Sequence, residues 1–252
     1  MKNLNITAAK LKVTAMVTMV LFNIAMFDIV KIPWLKYACG IIGASSLTLF
    51  AFLISEGVKH TRSTNKYVIR TLIFAIISAF PFHAITKMLN GGQGSITGYY
   101  SAALSAFLCV GALVTYDRMK SRGFRIALIL FLVVISYFIR FYGAPYVFIL
   151  TFIIHICKDN FRKMAYYITA LYGALFAVGL VFKLAVPDYS GSNELTLMIY
   201  QVGCILPLPL IKAYNGEEGV KLKWIAYAFY PLMLIVFMLV IQGSFDFQTL
   251  IP

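Results

Sequence analysis

The sequence predicts an all-α, polytopic membrane bundle of about nine spans. Three observations carry that prediction. Hydrophobic residues make up 61% of the chain, where soluble domains hold about 45–50%. Charged residues make up 12%, about half the usual share of roughly 25%. The apolar residues also come in runs of about 20, the length of helix that crosses a hydrocarbon layer. A barrel would instead show short alternating stretches. A soluble enzyme, a disordered chain and a collagen-like chain are excluded, because none could hide so much apolar surface and stay dispersed. The 252 residues are read as a single integral membrane domain, 1–252.

The first span covers residues 13–32, with no small-residue cleavage site after it, so it reads as a span and not as a cleavable leader. Pro33 and Trp34 break the chain before a second span over 37–55, and Trp34 suits an interfacial anchor. A third span covers 67–85 and leads to a Gly-rich turn at 90–95. Spans over 96–116, 124–139 and 144–157 come next, the last of them short. Three more cover 165–185, 195–213 and 224–241. Pro207, Pro209 and Pro231 fall within the last two and are expected to kink them.

The basic residues test this count. With the N-terminus inside, the inner segments hold Lys2, Lys10 and Lys12, then Lys59, Arg62, Lys66 and Arg70, then Arg118, Lys120, Arg122 and Arg125. Further along they hold Lys158, Arg162 and Lys163, then Lys212, Lys221 and Lys223. Only Lys31, Lys36, Lys87, Arg140 and Lys183 fall outside, five of the 22 Lys and Arg. Without the short sixth span the bias nearly vanishes. The positive-inside rule therefore favours nine crossings, N-terminus in and C-terminus out. The net charge of +13 is first of all a topology signal. No basic stripe interleaves with aromatics, so no nucleic-acid partner is expected. The cationic loops suit membrane lipid or an anionic nucleotide.

Deep in the spans the polar residues are neutral: Asn23, Ser45, Ser46, Ser78 and Gln201. Ion paths and proton relays usually carry titratable groups there, so an ion-coupled transporter or voltage sensor is disfavoured. Cys39, Cys109, Cys157 and Cys204 show no CxxC spacing and read as small buried hydrophobes. No metal site is expected.

Two segments could carry chemistry. In Ser55-Glu56-Gly57-Val58-Lys59-His60-Thr61-Arg62, a continued helix puts Glu56 and His60 one turn apart on one face. A carboxylate beside an imidazole makes a general base with its orienting partner; the bland alternative is a solvated helix end. In Tyr214-Asn215-Gly216-Glu217-Glu218-Gly219-Val220-Lys221, the glycines mark a tight turn. Its backbone amides and Lys221 could hold an anionic cofactor, and a plain connecting loop explains the pattern equally well.

At these segments the chain resembles the TraX family. Residues 50–62 resemble the family's F-x-F-L-I-x-E-G-x-x-H-T block, and the Lys66–Arg70 and Phe74–Phe82 stretches resemble the next block of that family. Leu206-Pro207-Leu208-Pro209, then Tyr214-Asn215-Gly216, Gly219 and Phe229-Tyr230-Pro231-Leu232, resemble its Y-N-G-x-x-G … F-Y-P-L-H ending. The resemblance implies a bacterial inner-membrane protein that moves acetyl from acetyl-CoA to a peptide or pilin-like amine, with room for partner membrane subunits. The resemblance places the family's catalytic imidazole in an Asp-His pair of the first span, where this chain has Phe22 and Asn23, so Glu56 and His60 are expected to take over as the catalytic pair. Arg62, Arg70, Tyr214, Asn215, Gly216 and Lys221 would then hold the acetyl-CoA. The sequence departs from the family where Phe22 and Asn23 stand in place of an Asp-His pair, Ala44 in place of Arg and Met233 in place of His. A non-catalytic scaffold or subunit is therefore the alternative, with a small transporter or immunity-type protein third.

Overall fold

A computed structural model describes residues 6–91, 101–139, 146–185 and 192–249. Among them every regular element is a helix. They are α1 (Ala8–Met26), α2 (Pro33–His60), α3 (Thr64–Gly91), α4 (Ala102–Arg118), α5 (Arg122–Ile139), α6 (Tyr146–Ile156) and α7 (Phe161–Ala185). After these come α8 (Ser192–Tyr200), a 3₁₀ turn (Gln201–Ile205), α9 (Leu208–Lys212) and α10 (Lys223–Thr249). Helices satisfy their own backbone hydrogen bonds, which is what a lipid environment demands.

Six stretches among the described residues are long and apolar enough to cross a membrane. They are Ala8–Met26, Pro33–His60, Thr64–Leu89, Phe161–Ala185, Leu195–Lys212 and Trp224–Gly243. The expected spans at 96–116, 124–139 and 144–157 correspond to α4, α5 and α6, which are not among the six. Residues 92–100 and 140–145 lie outside the described residues, and with them most of the Gly-rich turn and the ends of two expected spans.

Helix α1 stops at Met26, six residues before the expected end. Asp28 adopts a left-handed backbone, φ 55°, and the Ile29 amide donates back to the Ile24 carbonyl at 3.2 Å. That is the closing bond of a Schellman turn, and Asp tolerates the left-handed position better than most residues. The Asp28 carboxylate pairs with Lys31 at 3.0 Å and Lys36 at 2.7 Å. Burial opposes its ionisation, but the hydrogen bonds and charges of Lys36 and Lys31 outweigh this and hold the carboxyl below its ordinary value. Pro33 then opens α2, where its fixed φ fits and its missing N–H costs nothing.

The stretch over 195–213 is not one continuous α-helix. It runs as α8, the 3₁₀ turn and α9, because Pro207 and Pro209 lack the amides a continuing helix would need. Pro231, by contrast, sits inside an α10 that continues past it.

The chain forms two compact units: Met1–Leu53 with Ile153–Leu222, and Ile54–Phe152 with Lys223–Pro252. In the first, glycine sets the helix spacing. A Cβ on Gly43 of α2 would run into the backbone of Phe22 on α1, and one on Gly203 would run into the Ile41 carbonyl. The Cys204 thiol donates to the Ala44 carbonyl at 3.3 Å, and the Thr48 hydroxyl donates to the Cys204 carbonyl at 2.7 Å. Small residues at such crossings let backbones approach, which drives helix association where lipid removes the hydrophobic gain.

In the second unit α3 packs against both α4 and α10. Val58, Val110, Leu113, Val114 and Phe152 form its core, and the Phe74 ring meets Tyr227 and Tyr230 of α10, each at 5.9 Å. Arg118, closing α4, donates to Thr64 Oγ1 at 3.1 Å and Asn65 Oδ1 at 2.9 Å, which ties α4 to the start of α3.

The packing of the first unit is open to test by substitution. Gly43→Ala should destabilise the protein by about 1–3 kcal/mol, as overpacking does. Gly173→Ala, with nothing within 4 Å of the added carbon, should be neutral or slightly stabilising, and thermal melts in detergent compare the two. Asp28→Asn should lower the melting midpoint at pH 7 modestly, since half-exposed pairs contribute about 0.2–1 kcal/mol each. The native carboxyl is depressed, so its contribution is complete above the ordinary value of 3.8 and fades as pH falls below it. The gap between wild type and Asp28→Asn should therefore close on acidification.

Candidate functional site

Helix α2 stays helical to His60, so the expected one-turn spacing is realised. His60 Nε2 lies 3.1 Å from Glu56 Oε2. The imidazole is 61% exposed and the carboxylate 17%, so Glu56 is the sheltered partner and His60 the accessible one. A carboxylate so placed orients the ring, the arrangement a general base needs. Gly57, between them, has a packing reason: a Cβ there would lie 2.8 Å from the Tyr67 hydroxyl of α3. The turn is closed by the Thr61 amide donating to the Gly57 carbonyl and the Tyr67 amide to the Ser63 carbonyl, both at 3.1 Å.

Arg62 is exposed in this α2–α3 turn. Arg70 is half-buried on α3, and its Nε donates to the Lys66 carbonyl at 3.0 Å. Arg118 and Arg125 serve the fold instead. Arg118 holds the start of α3, while Arg125 donates to the Met119 carbonyl at 2.8 Å and lies 4.9 Å from the Tyr116 ring centre.

Tyr214, Asn215, Gly216 and Lys221 belong to the other unit. There the loop acts as a clasp on the start of α1. Ala8 and Ala9 donate their amides to the Glu217 and Glu218 carbonyls at 2.8 and 3.0 Å, and the Asn215 amide donates to the Ile6 carbonyl at 3.0 Å. Ala8 and Ala9 head α1, so the loop satisfies amides that a helix start leaves open. The Glu217 amide is turned inward onto Asn215 Oδ1 at 3.0 Å. Two of the amides offered for an anionic cofactor are thus engaged within the protein. Lys221 remains exposed. The Tyr214 ring stands edge-on to Phe52 at 5.4 Å.

A further polar cluster has no counterpart among the sequence motifs. Lys183, one of the five cations assigned to the outer side, hydrogen-bonds the Tyr37 hydroxyl and the Thr196 hydroxyl. Its ammonium lies 4.7 Å from the Tyr37 ring centre. Tyr37 meets Tyr200 edge-on at 5.5 Å. The Tyr200 hydroxyl and Gln201 Oε1 are buried without hydrogen-bond partners among the described residues. These residues lie up to 164 positions apart, Tyr37 to Gln201, so no local pattern announces them.

The family model for "TraX protein" matches residues 7–241. The chain belongs to the TraX family. It is also similar to the "Probable fimbrial assembly protein FimC, serogroup H1" of Dichelobacter nodosus, with 25% identity over 92% of this chain and 94% of that one. No solved structure matches. Family membership and the six apolar stretches among the described residues together make this TraX chain a membrane protein.

The three departures in the first unit are packed, not open. Phe22 is buried against Gly43, and the Asn23 amide donates to the Met19 carbonyl of its own helix at 2.8 Å. Ala44 is fully buried, its carbonyl taken by Cys204. Met233, in the other unit, is buried in α10.

The clasp can be loosened selectively. Gly219 has φ +69°, and a Cβ there would meet Thr7 Oγ1 at 2.7 Å. Gly219→Ala should release the first turn of α1 and expose residues 6–9 to limited proteolysis. Gly216 has φ +82° but open space around it. Gly216→Ala should therefore cost only about 1–2 kcal/mol of left-handed backbone strain and leave the segment protected.

Proposed function

We propose that this TraX protein is an acetyltransferase of the bacterial inner membrane, taking acetyl from acetyl-CoA and passing it to the amine of a peptide or pilin-like acceptor. The observation that carries the reading is the 3.1 Å pairing of His60 with Glu56, within the block where the chain resembles its family. Nine crossings, with the N-terminus and the His60 end of α2 facing the cytoplasm, are part of the same proposal. They rest on the bias of Lys and Arg. That orientation gives His60 access to cytoplasmic acetyl-CoA. Similarity to a protein named for fimbrial assembly supports a pilin-like acceptor.

In the proposed step His60 accepts a proton from the acceptor amine as its nitrogen attacks the thioester carbonyl. The C–N bond forms, the C–S bond breaks, and the same proton passes from His60 to the departing thiolate. The products are an N-acetyl amide and free coenzyme A. Glu56 holds the imidazole and stabilises it while it carries the proton. Arg62, exposed beside the pair in sequence, and Arg70 offer cationic partners for the phosphates.

A second reading has its own observation. Phe22, Asn23 and Ala44 fill the interior with groups that cannot carry a proton at neutral pH. A scaffold or subunit that lost the family's chemistry accounts for that packing directly.

Mass spectrometry of peptide N-termini, in cells with and without the gene, separates the two. The enzyme reading expects an acetyl shift of about 42 Da that falls about 10²–10⁴-fold in rate with His60→Ala, a typical loss for a positioned base. Glu56→Gln should cost less. A shift that survives both substitutions at normal protein level would remove the pair from the site. No shift in any background would favour the scaffold.

A further inference from the structure

Apart from the α2 pair and the clasp loop, a groove in the first unit has the composition of a nucleotide site. It is a shallow, open groove of about 740 Å³ between the start of α7 and the end of α9, within the roughly 300–1,000 Å³ of typical small-molecule sites. Asp159, Asn160, Arg162, Tyr166, Thr169 and Lys212 line it. Arg162, Tyr166 and Thr169 fall at i, i+4 and i+7 along α7, so they form one stripe. Lys212, the last residue of α9, adds a second cation.

The groove's chemistry is that of a phosphorylated aromatic ligand. No hydrogen bond or ion pair within the described residues engages Arg162 or Lys212, in contrast to Arg118 and Arg125. Arg162 offers a planar fork for phosphate oxygens, and Lys212 a compact charge. Tyr166, on the groove wall, is 69% exposed, and its ring meets Tyr167 edge-on at 5.6 Å. A flat aromatic face accepts a purine by stacking. Asp159 would repel a phosphate but can accept from a ribose hydroxyl or an exocyclic amine. The amide end of α7 is not counted among the phosphate donors, since Asn160 Oδ1 already caps it through the Lys163 amide at 3.1 Å.

We propose that this groove binds a phosphorylated adenine nucleotide, with phosphates on Arg162 and Lys212 and the base on Tyr166. The groove's chemistry names the nucleotide class alone and does not depend on the acetyl-transfer reading, whose phosphate partners are Arg62 and Arg70; coenzyme A serves here as one probe of that class. Anionic lipid offers the same phosphate without the purine, so the test must separate the two.

The test uses the full chain in nanodiscs of phosphatidylcholine, with adenosine 3′,5′-bisphosphate and coenzyme A as titrated ligands. Both should bind saturably and more weakly as salt rises. Arg162→Gln, Lys212→Gln and Tyr166→Ala should each weaken binding about tenfold, a typical loss for one charge-assisted contact or one stacked base. Lys163→Gln, one residue along the helix from Arg162, should stay within about twofold of wild type, since it lies off the stripe. No binding at millimolar ligand overturns the proposal. So does binding that all three substitutions leave intact, or a nucleotide signal that disappears when phosphatidylglycerol replaces phosphatidylcholine. Groove-dependent nucleotide binding without acetyl product in cells keeps the groove and removes the transferase. Acetyl product in cells, with no nucleotide bound at the groove, does the reverse.

Discussion

The close approach of backbones at glycine is the constraint on which the first unit depends. Gly43 faces the Phe22 backbone, and Gly203 faces the Ile41 carbonyl, so neither position has room for a side chain. In water the burial of large apolar groups would hold helices together. In lipid that gain is largely absent, and direct packing with interhelical hydrogen bonds takes its place. The Cys204 and Thr48 contacts across the same crossing are those bonds. The same packing accounts for the loss of polar character at Phe22 and Ala44. A carboxylate or guanidinium there would be buried in a dense interface, where an uncompensated charge is very costly.

Helix α2 carries this constraint to the candidate chemistry. It is one 28-residue helix, with packing glycines in its first half and Glu56 and His60 in its last turns. Gly57 repeats the device on a smaller scale by admitting the Tyr67 hydroxyl. The E-G-x-x-H stretch therefore joins a polar pair to a packing glycine, and the two roles explain its residue types together.

The parts legible in the sequence were those set by local rules. Apolar runs announced helices, and the spacing of Glu56 and His60 announced a shared face that the 3.1 Å contact realises. Parts set by distant partners were not legible. The Tyr214–Lys221 loop looked like a turn with free amides, yet it clasps residues 6–9, some 200 positions away, through hydrogen-bonded and bridged backbone positions. Lys183 counted only as an outer charge, and its partner Tyr37 is 146 residues distant. The early end of α1 was missed for another reason. Apolar residues continue to Ile32, and only the left-handed backbone at Asp28 stops the helix. The groove went unread because Arg162 counted only as a topology charge, while Tyr166 lay inside an apolar run.

The central claim is that a paired imidazole at the end of α2 moves an acetyl group. The most direct measurement is single-turnover transfer from acetyl-labelled coenzyme A to a synthetic peptide amine, using purified protein in nanodiscs. Label is expected on the peptide N-terminus, at a rate that collapses in His60→Ala. Folded wild-type protein that binds coenzyme A yet leaves the peptide unlabelled would contradict it.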